Sequence, residues 1–171
     1  MRTAHPWNRS AFRFLIALLF LVPMDALVAA QGRLLLLNPG EAAQLNLGPD
    51  DLRPGPLLRG FPPGPRIVVR EPAVIHTPDG AVIETTPVTR FLISFEPNRA
   101  PVDMETLEIK ARKGPFSVSL TPRLKPYIQG TSLQADTVSV PEGRFMVQIE
   151  IVDKAGGKTV EQYRLDVRAR G

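Results

Sequence analysis

From Arg66 to the end of the chain, short stretches of alternating apolar and polar residues follow one another, separated by Pro, Gly and Asp. Alternation gives a β-strand one face that can be buried and one that can stay in water. The stretches with this pattern are Arg66–Arg70, Val88–Phe95, Leu107–Ala111, Phe116–Leu120, Leu133–Ala135, Phe145–Val152 and Lys158–Arg168, with Val138–Val140 as a further short candidate. About seven short strands with turn residues between them predict an all-β, antiparallel sandwich over residues 66–171. The spacing leaves no room for the helices of an α/β fold.

The last two predicted strands form a hairpin around the sequence DKAGG at residues 153–157. Gly156 and Gly157 can take the positive φ that hairpin turns require, and the Asp153 side chain can bond to the backbone two residues on. Val160 is out of phase with the apolar residues that follow it. We therefore predict a β-bulge near Glu161-Gln162 that restores the register.

The first thirty residues have the pattern of a secretory signal peptide. Three arginines and no acidic residue precede an uninterrupted apolar run, FLIALLFLV, and small residues follow near Ala30. This order of basic, apolar and small residues predicts cleavage near Ala30 and export to the periplasm or the cell exterior. The alternative is an uncleaved membrane anchor, although the run is shorter than the ~20 apolar residues that span a bilayer.

Residues 31–65 form a Pro/Gly-rich N-terminal segment, with seven prolines and five glycines between Pro39 and Pro65. Such a composition favours turns and extended chain over a packed core. The part from Arg33 to Leu47 is compatible with a short hairpin around Asn38-Pro39-Gly40. The leucine run Leu34–Leu37 should not stay exposed, so it either packs on the sandwich or meets a partner.

Charge and cysteine content exclude several classes of function. Residues 31–171 carry eighteen Lys and Arg against sixteen Asp and Glu, a formal charge of +2. The basic cluster Lys110–Lys113 is small and lacks interleaved aromatics, so it reads as a strand end in water and nucleic acid is not an expected partner. The absence of cysteine excludes disulfides, thiolate metal sites, a Cys nucleophile and lipoprotein attachment.

The terminal hairpin resembles the last two strands of bacterial immunoglobulin-like domains, many of which end in an Asp-x-Ala-Gly-Asn turn. Here Gly157 replaces the usual Asn. The sequence HTPDGAVIETTPVTRFLISFEP at residues 76–97 also resembles the start of such domains, with a turn before a strand and a Phe-rich stretch. The resemblance covers about residues 65–169 and implies a sandwich of immunoglobulin or fibronectin III topology in an exported bacterial protein. It implies no particular function, because this fold serves many.

A weaker resemblance links the chain to periplasmic copper-carrying sandwich proteins. That family has a His at the mature N-terminus together with further His or Met ligands. The expected mature start, Gln31-Gly32-Arg33, has no His, and only His76, Met104 and Met146 remain. The chain therefore departs from the copper family at the ligands themselves.

Candidate catalytic and binding residues are few. His76 is the one histidine after residue 30, no serine lies in a Gly-x-Ser-x-Gly elbow, and His76 reads as an exposed loop residue. Asp103 with Glu105, and Asp50 with Asp51, are the carboxylate pairs a glycosidase would need, but the single Trp is in the signal segment. Calcium would need acidic residues near turns to gather, and the candidates are Glu71, Asp79, Asp103 and Asp153. No phosphate-binding Gly-rich loop is present.

The segment Lys125–Gly130 is the most distinctive stretch outside the strands. Tyr127 either packs beneath a crossover between the sheets, the commoner arrangement, or anchors a recognition loop. We predict a non-catalytic interaction or structural module without cofactor, whose partner is another protein or a cell-envelope component. After signal cleavage we expect no membrane association. The alternative is a periplasmic ligand or metal carrier, either copper-carrier-like or calcium-binding.

Overall fold

The computed structural model describes residues 33–48, residue 51 and residues 63–169. The predicted signal peptide lies outside the described residues, and so does most of the chain between Gly48 and Pro63. In the part of the chain that the structure describes, no helix is long and apolar enough to cross a membrane.

The described residues form two β-sheets packed face to face, which confirms the predicted all-β sandwich. The strands are β1 Leu34–Leu35, β2 Arg66–Glu71, β3 Val74–Thr77, β4 Gly80–Thr85, β5 Val88–Glu96, β6 Val102–Lys113, β7 Phe116–Ser119, β8 Ile128–Gln129, β9 Ser132–Ser139, β10 Gly143–Asp153 and β11 Lys158–Val167. Two short helices, α1 Pro39–Leu45 and α2 Thr121–Leu124, and a 3-10 turn Lys125–Tyr127 complete the fold. The eleven described strands exceed the seven expected, because four strands of two to six residues lie outside the predicted stretches: β1, β3, β4 and β8.

One sheet has the strand order β1-β9-β5-β2, with β8 also paired to β9, and the other has the order β3-β4-β11-β10-β6-β7. The pairing is antiparallel except at β1–β9 and β4–β11, which are parallel. The chain crosses between the sheets after β2, so that β2 lies against β5 and β4 lies against β11. In one layer, β1 pairs with β9 and β2 pairs with β5. The opposite layer contains β6, β10 and β11. This arrangement fits an immunoglobulin-like sandwich.

The core lies between the two sheets and consists of the alternating residues that face inward. Phe95, Phe145 and Leu133 are among its most completely buried side chains. Phe91 and Ile109 are buried as the alternation predicts, and Val147 packs against the same cluster. The polar residues between these positions lie on the outer faces, so the period of two in the sequence correctly assigned the faces of the long strands.

The DKAGG turn joins β10 and β11 as predicted. Asp153 Oδ1 accepts hydrogen bonds from the backbone N–H of Ala155 at 2.9 Å and of Gly157 at 2.8 Å. Gly156 has a φ of +84°, which a residue with a side chain rarely adopts. The Asp153 carboxylate is buried and uses its backbone partners to hold the turn closed.

The predicted bulge near Glu161-Gln162 is wrong. The pairing of β10 with β11 runs without a shift from Gly143 opposite Val167 to Val152 opposite Lys158. Glu161 therefore takes a core-side position opposite Ile149. The buried Tyr163 hydroxyl donates to the Glu161 carboxylate, which supplies the partner that a carboxylate in this position needs. Burial, followed by the hydrogen bond to Glu161, raises the pKa of Tyr163.

The predicted hairpin around Asn38-Pro39-Gly40 is also wrong, because these residues begin α1. The Asn38 side chain accepts from the Glu41 N–H, and the Glu41 carboxylate accepts from the Asn38 N–H, both at 2.8 Å. This reciprocal pair is a capping box, and Pro39 occupies the first helical turn, where its missing N–H costs nothing. The turn-forming residues thus start a helix.

The leucine run packs on the sandwich. Leu36 and Leu37 are buried in the core, Leu34 packs against it, and only Leu35 is exposed. Residues 33–48 belong to the same compact unit as the strands of residues 66–167.

Candidate interaction edges of the six-stranded sheet

The histidine and the methionines considered from the sequence do not form one site. His76 is exposed, as expected, but it lies in strand β3 and not in a loop. Met104 packs against the core, whereas Met146 lies on the outer face of β10 between Arg112 and Arg164. Copper would need several of these ligands on one surface.

Two of the candidate carboxylates bond to nearby backbone, and Asp50 lies outside the described residues. Asp103 accepts a hydrogen bond from the Glu105 N–H at 3.2 Å, and Asp51 accepts from the Gly48 N–H at 2.9 Å. Of the calcium candidates, Glu71 pairs with Arg90 and Asp153 holds its own turn. Within residues 33–48, 51 and 63–169, no group of three or more His, Asp or Glu side chains could hold a metal ion. The four calcium candidates named from the sequence, Glu71, Asp79, Asp103 and Asp153, therefore form no such group.

The Lys125–Gly130 segment is a crossover between the sheets. Tyr127 ends the 3-10 turn and packs against the core. Its ring is therefore used for packing, as in the commoner of the two arrangements considered from the sequence.

Two cavities among the described residues bear on the ligand-carrier alternative, because a carrier needs a pocket. The first lies in the core, has a volume of about 40 Å³ and is lined by apolar side chains and Tyr163. It is far below the roughly 300 Å³ of small-molecule pockets. The second is an open surface groove of about 580 Å³ near Thr85–Thr89 and Asp166–Ala169. Its buried carboxylate, Asp166, is neutralised by Arg164 at 3.1 Å and Arg168 at 3.9 Å.

The two outermost strands of the six-stranded sheet have features that suit contact with a partner. Among the described strands, β3 pairs only with β4 and β7 pairs only with β6. Each exposes a large apolar side chain: Ile75 is 47% exposed and Phe116 is 64% exposed. Neither strand contains a Lys, Arg, Asp or Glu. Charged residues are the usual means by which proteins prevent pairing at a sheet edge.

The hydrogen bonds at the end of β7 show which of its amides face outward. The Leu120 N–H donates to the Ile109 carbonyl at 2.8 Å, so these two residues form a hydrogen-bonded pair. Val118, two residues before Leu120, lies opposite Ala111. Hydrogen-bonded pairs alternate with non-bonded pairs along an antiparallel ladder. Val118 therefore bonds to β6, and the amides of Ser117 and Ser119 point away from the sheet.

The same reasoning applies to β3. A two-residue turn, Pro78-Asp79, joins Thr77 to Gly80, and such a turn is closed by a hydrogen-bonded pair. Thr77 and Ile75 therefore bond to β4, so the amides of Val74 and His76 face outward.

The two edges differ in the charge that surrounds them. Residues 109–135, which include β7, carry five cations and no acidic residue. These cations are Lys110, Arg112, Lys113, Arg123 and Lys125. Residues 71–86, which include β3, carry Glu71, Asp79 and Glu84 and no Lys or Arg. Several of these charges are neutralised by ion pairs: Lys110 pairs with Glu108, Lys113 with Asp51, Arg123 with Glu41 and Glu71 with Arg90.

Outside these ion pairs, Arg112 and Lys125 remain in the segment of β7, and Asp79 and Glu84 remain in the segment of β3. The β7 edge is therefore the more basic of the two and the β3 edge the more acidic.

Sequence reasoning missed both edges, although a signal for each was present. VIHT before Pro78-Asp79 and AVIET after Gly80 are two apolar runs around a turn, the pattern of a hairpin. The absence of acidic residues over 109–135 extends well beyond the cluster Lys110–Lys113 that drew attention.

Comparison with known proteins adds little to this geometry. No protein-family model matches the chain, and no curated protein matches it. The chain is similar to a solved structure of murine CRIg, with 12% sequence identity and a TM-score of 0.34, over 62% of this chain and 99% of that one. A likeness at this TM-score carries no argument about function, so the reasoning about function rests on the sheet edges.

Proposed function

We propose that this chain is a non-catalytic interaction module, exported to the periplasm or the cell exterior, that binds an extended segment of a partner protein along the edge of β7. The observation that supports the proposal most strongly is an uncharged edge strand with outward amides at Ser117 and Ser119 beside the exposed Phe116. Addition of a strand to a sheet edge is a common mode of peptide recognition.

Each part of the β7 edge has a role in such binding. The outward backbone groups of Ser117 and Ser119 supply main-chain hydrogen bonds, which give affinity with little sequence preference. Phe116 supplies apolar area, and a large exposed aromatic side chain is typical of residues that dominate interfaces. Arg112 and Lys125, the cations of residues 109–135 that lie outside the ion pairs of this segment, favour an acidic segment and speed its approach.

Photo-crosslinking in the cells that produce the protein tests this use of β7. A benzoylphenylalanine at position 116 should form discrete adducts with a second polypeptide. The matched control is the same residue at position 35, because Leu35 is also an exposed apolar residue but lies in the other sheet. We expect no adduct from position 35.

Two substitutions at Ser117 tell edge pairing from simple proximity. Ser117→Pro removes an outward N–H without breaking the ladder to β6, and an edge strand tolerates it. Ser117→Thr keeps the amide and suits a strand. Adducts at position 116 should vanish with Ser117→Pro and persist with Ser117→Thr. Equal adducts at positions 35 and 116, no adduct at either, or adducts that survive Ser117→Pro would refute the proposal.

The export part of the proposal has its own test. The basic, apolar and small-residue order of residues 1–30 supports cleavage near Ala30. N-terminal sequencing of the protein from the periplasmic or extracellular fraction should give a chain that begins near Gln31. Full-length protein in the cytoplasm or in the membrane would contradict export with cleavage.

A further inference from the structure

We infer that the partner strand of β7 is β3 of a second copy of this chain, so that copies join head to tail and extend the six-stranded sheet. The inference rests on the proposed function, because it uses the same β7 edge. It adds the identity of the partner and assigns a role to the second open edge.

Charge complementarity is the first argument for a second copy. Outside the ion pairs, the segment of β7 keeps two cations, Arg112 and Lys125, and the segment of β3 keeps two carboxylates, Asp79 and Glu84. Two β7 edges would repel each other, and so would two β3 edges. The attractive combination is β7 of one copy with β3 of another, and this is the one that leaves a free edge of each kind for further growth.

Strand direction is the second argument. Along the order β3-β4-β11-β10-β6-β7, the pairing is antiparallel at every step except β4–β11. Four reversals leave β3 and β7 running in the same direction. If the next copy is placed beside the first by translation across the sheet, its β3 lies parallel to β7 of the first copy. The core-facing sides of the two sheets then lie on the same side.

The side chains at the two edges suit this repetition. A cross-strand row of paired residues runs over the outer face from Ile75 on β3 to Ser117 on β7. On the other face Phe116 would lie near Val74 or His76 of the next copy. Aromatic side chains beside β-branched ones are favourable cross-strand neighbours. The outward backbone groups of Ser117 and Ser119 would face the outward backbone groups of Val74 and His76 in the next copy. Each outward N–H could then donate to a carbonyl of the facing strand.

Each junction is small, because both strands are four residues long. Short edges and parallel pairing give weak contacts. The association should therefore depend strongly on concentration, and it should weaken as salt screens the charges.

Sedimentation of the purified chain tests the inference. We expect the weight-average mass to rise with concentration up to about 1 mM, the range in which weak contacts are populated, and to fall on adding salt. Ser117→Pro closes the β7 edge and His76→Pro closes the β3 edge. Ser117→Thr and His76→Thr are the matched controls, which keep the amides and should assemble like the wild type.

Mixing the two proline variants identifies the geometry. Each variant alone should remain monomeric, and an equal mixture should form a dimer and nothing larger, since each supplies one open edge. If His76→Pro alone dimerises, the contact is between two β7 edges and the inference is wrong. A wild type that stays monomeric to about 1 mM would also overturn it.

The crosslinking experiment separates this inference from the proposed function. Adducts of position 116 with residues 74–77 of a second copy of this chain would support both the proposed function and self-assembly. Adducts with a different protein would leave the proposed function intact and refute self-assembly. No adduct from position 116 would refute both.

Discussion

The two sheets of this sandwich treat their edges in opposite ways. In the five-stranded sheet, the outer side of β9 is covered by β8 at its beginning and by β1 at its end. The other edge strand, β2, carries Arg66, Arg70 and Glu71, and these pair with Glu96 and Arg90 on β5. Covering and charging are two of the ways in which proteins keep an edge from pairing with other chains.

In the six-stranded sheet, α1 contacts β7, but among the described strands nothing pairs with the outer side of β3 or β7. Its edge strands β3 and β7 are uncharged, pair on one side only, and expose Ile75 and Phe116. Because the same chain covers β9 with two short strands and places ion pairs on β2, the unpaired state of β3 and β7 is specific to the six-stranded sheet. This contrast is what points to binding at β7 and β3.

The largest expected effect comes from loosening α1, which contacts β6, β7 and β10 of the six-stranded sheet. Leu45 is 1% exposed and anchors the helix that follows β1. Leu45→Ala should lower the free energy of unfolding by about 2–4 kcal/mol, since it removes buried methyl groups and leaves a cavity. Urea unfolding measures the change, with Gln44→Ala on the exposed side of the same helix as the control. Equal stability of the two variants would show that α1 is not packed as described.

A smaller loss is expected from the ion pair that fastens α1 to α2. Arg123 donates to both Glu41 carboxylate oxygens, at 2.6 and 2.7 Å, and to the Leu36 carbonyl at 2.6 Å. Both side chains are less than one-third exposed. Glu41→Gln should therefore cost about 1–2 kcal/mol near neutral pH, between a surface ion pair and a buried charged hydrogen bond.

The cost of Glu41→Gln should depend on pH. The hydrogen bond from Arg123 lowers the pKa of Glu41 below its ordinary value of 4.5. The ion pair therefore contributes its full stability above that value and loses it as the pH falls through the folded-state pKa. Unfolding curves of the wild type and the variant should converge in acid. A gap that stays constant into acid would show that the carboxylate charge is not the source of the stability.

A still smaller effect on stability is expected from removing the charges of β2. Exposed ion pairs contribute little, so Arg66→Thr combined with Arg70→Thr should cost less than about 1 kcal/mol. The substitution should nevertheless allow the edge of β2 to pair with other chains. We expect light scattering to show more self-association than in the wild type, including in the Ser117→Pro background. Unchanged scattering would mean that charge does not protect β2.

The smallest effect on stability is expected at Phe116. Its side chain is 64% exposed, so Phe116→Ser should change the free energy of unfolding by less than about 0.5 kcal/mol. It should still reduce association in sedimentation experiments, because it removes the largest apolar contribution of the β7 edge. A strong loss of stability would assign Phe116 to the fold and not to an interface.

Sequence patterns predicted the long strands well, because their inward residues follow a period of two that packing does not disturb. They failed where one side chain decides the outcome. Asn38-Pro39-Gly40 has the composition of a turn, and it is Glu41, by completing the capping box, that turns it into a helix start. Val160 looks out of phase unless one knows that Tyr163 can satisfy a carboxylate at position 161.

The candidate site was harder to predict than the fold, because an open edge is a property of sheet order. VIHT and FSVS read as ordinary short strands in the sequence. Only the topology shows that they are the two outermost strands of one sheet and run in the same direction. The sequence did contain the charge difference between their surroundings, but it gave no reason to compare residues 71–86 with residues 109–135.

Hydrogen exchange measured amide by amide at rising protein concentration tests the use of these edges most directly. The amides of Ser117, Ser119, Val74 and His76 should exchange rapidly in dilute solution and become protected together as the concentration increases, while the outer amides of β2 stay unchanged. Protection that never develops at β7 and β3, or that develops at β2 instead, would contradict the assignment of the open edges to binding.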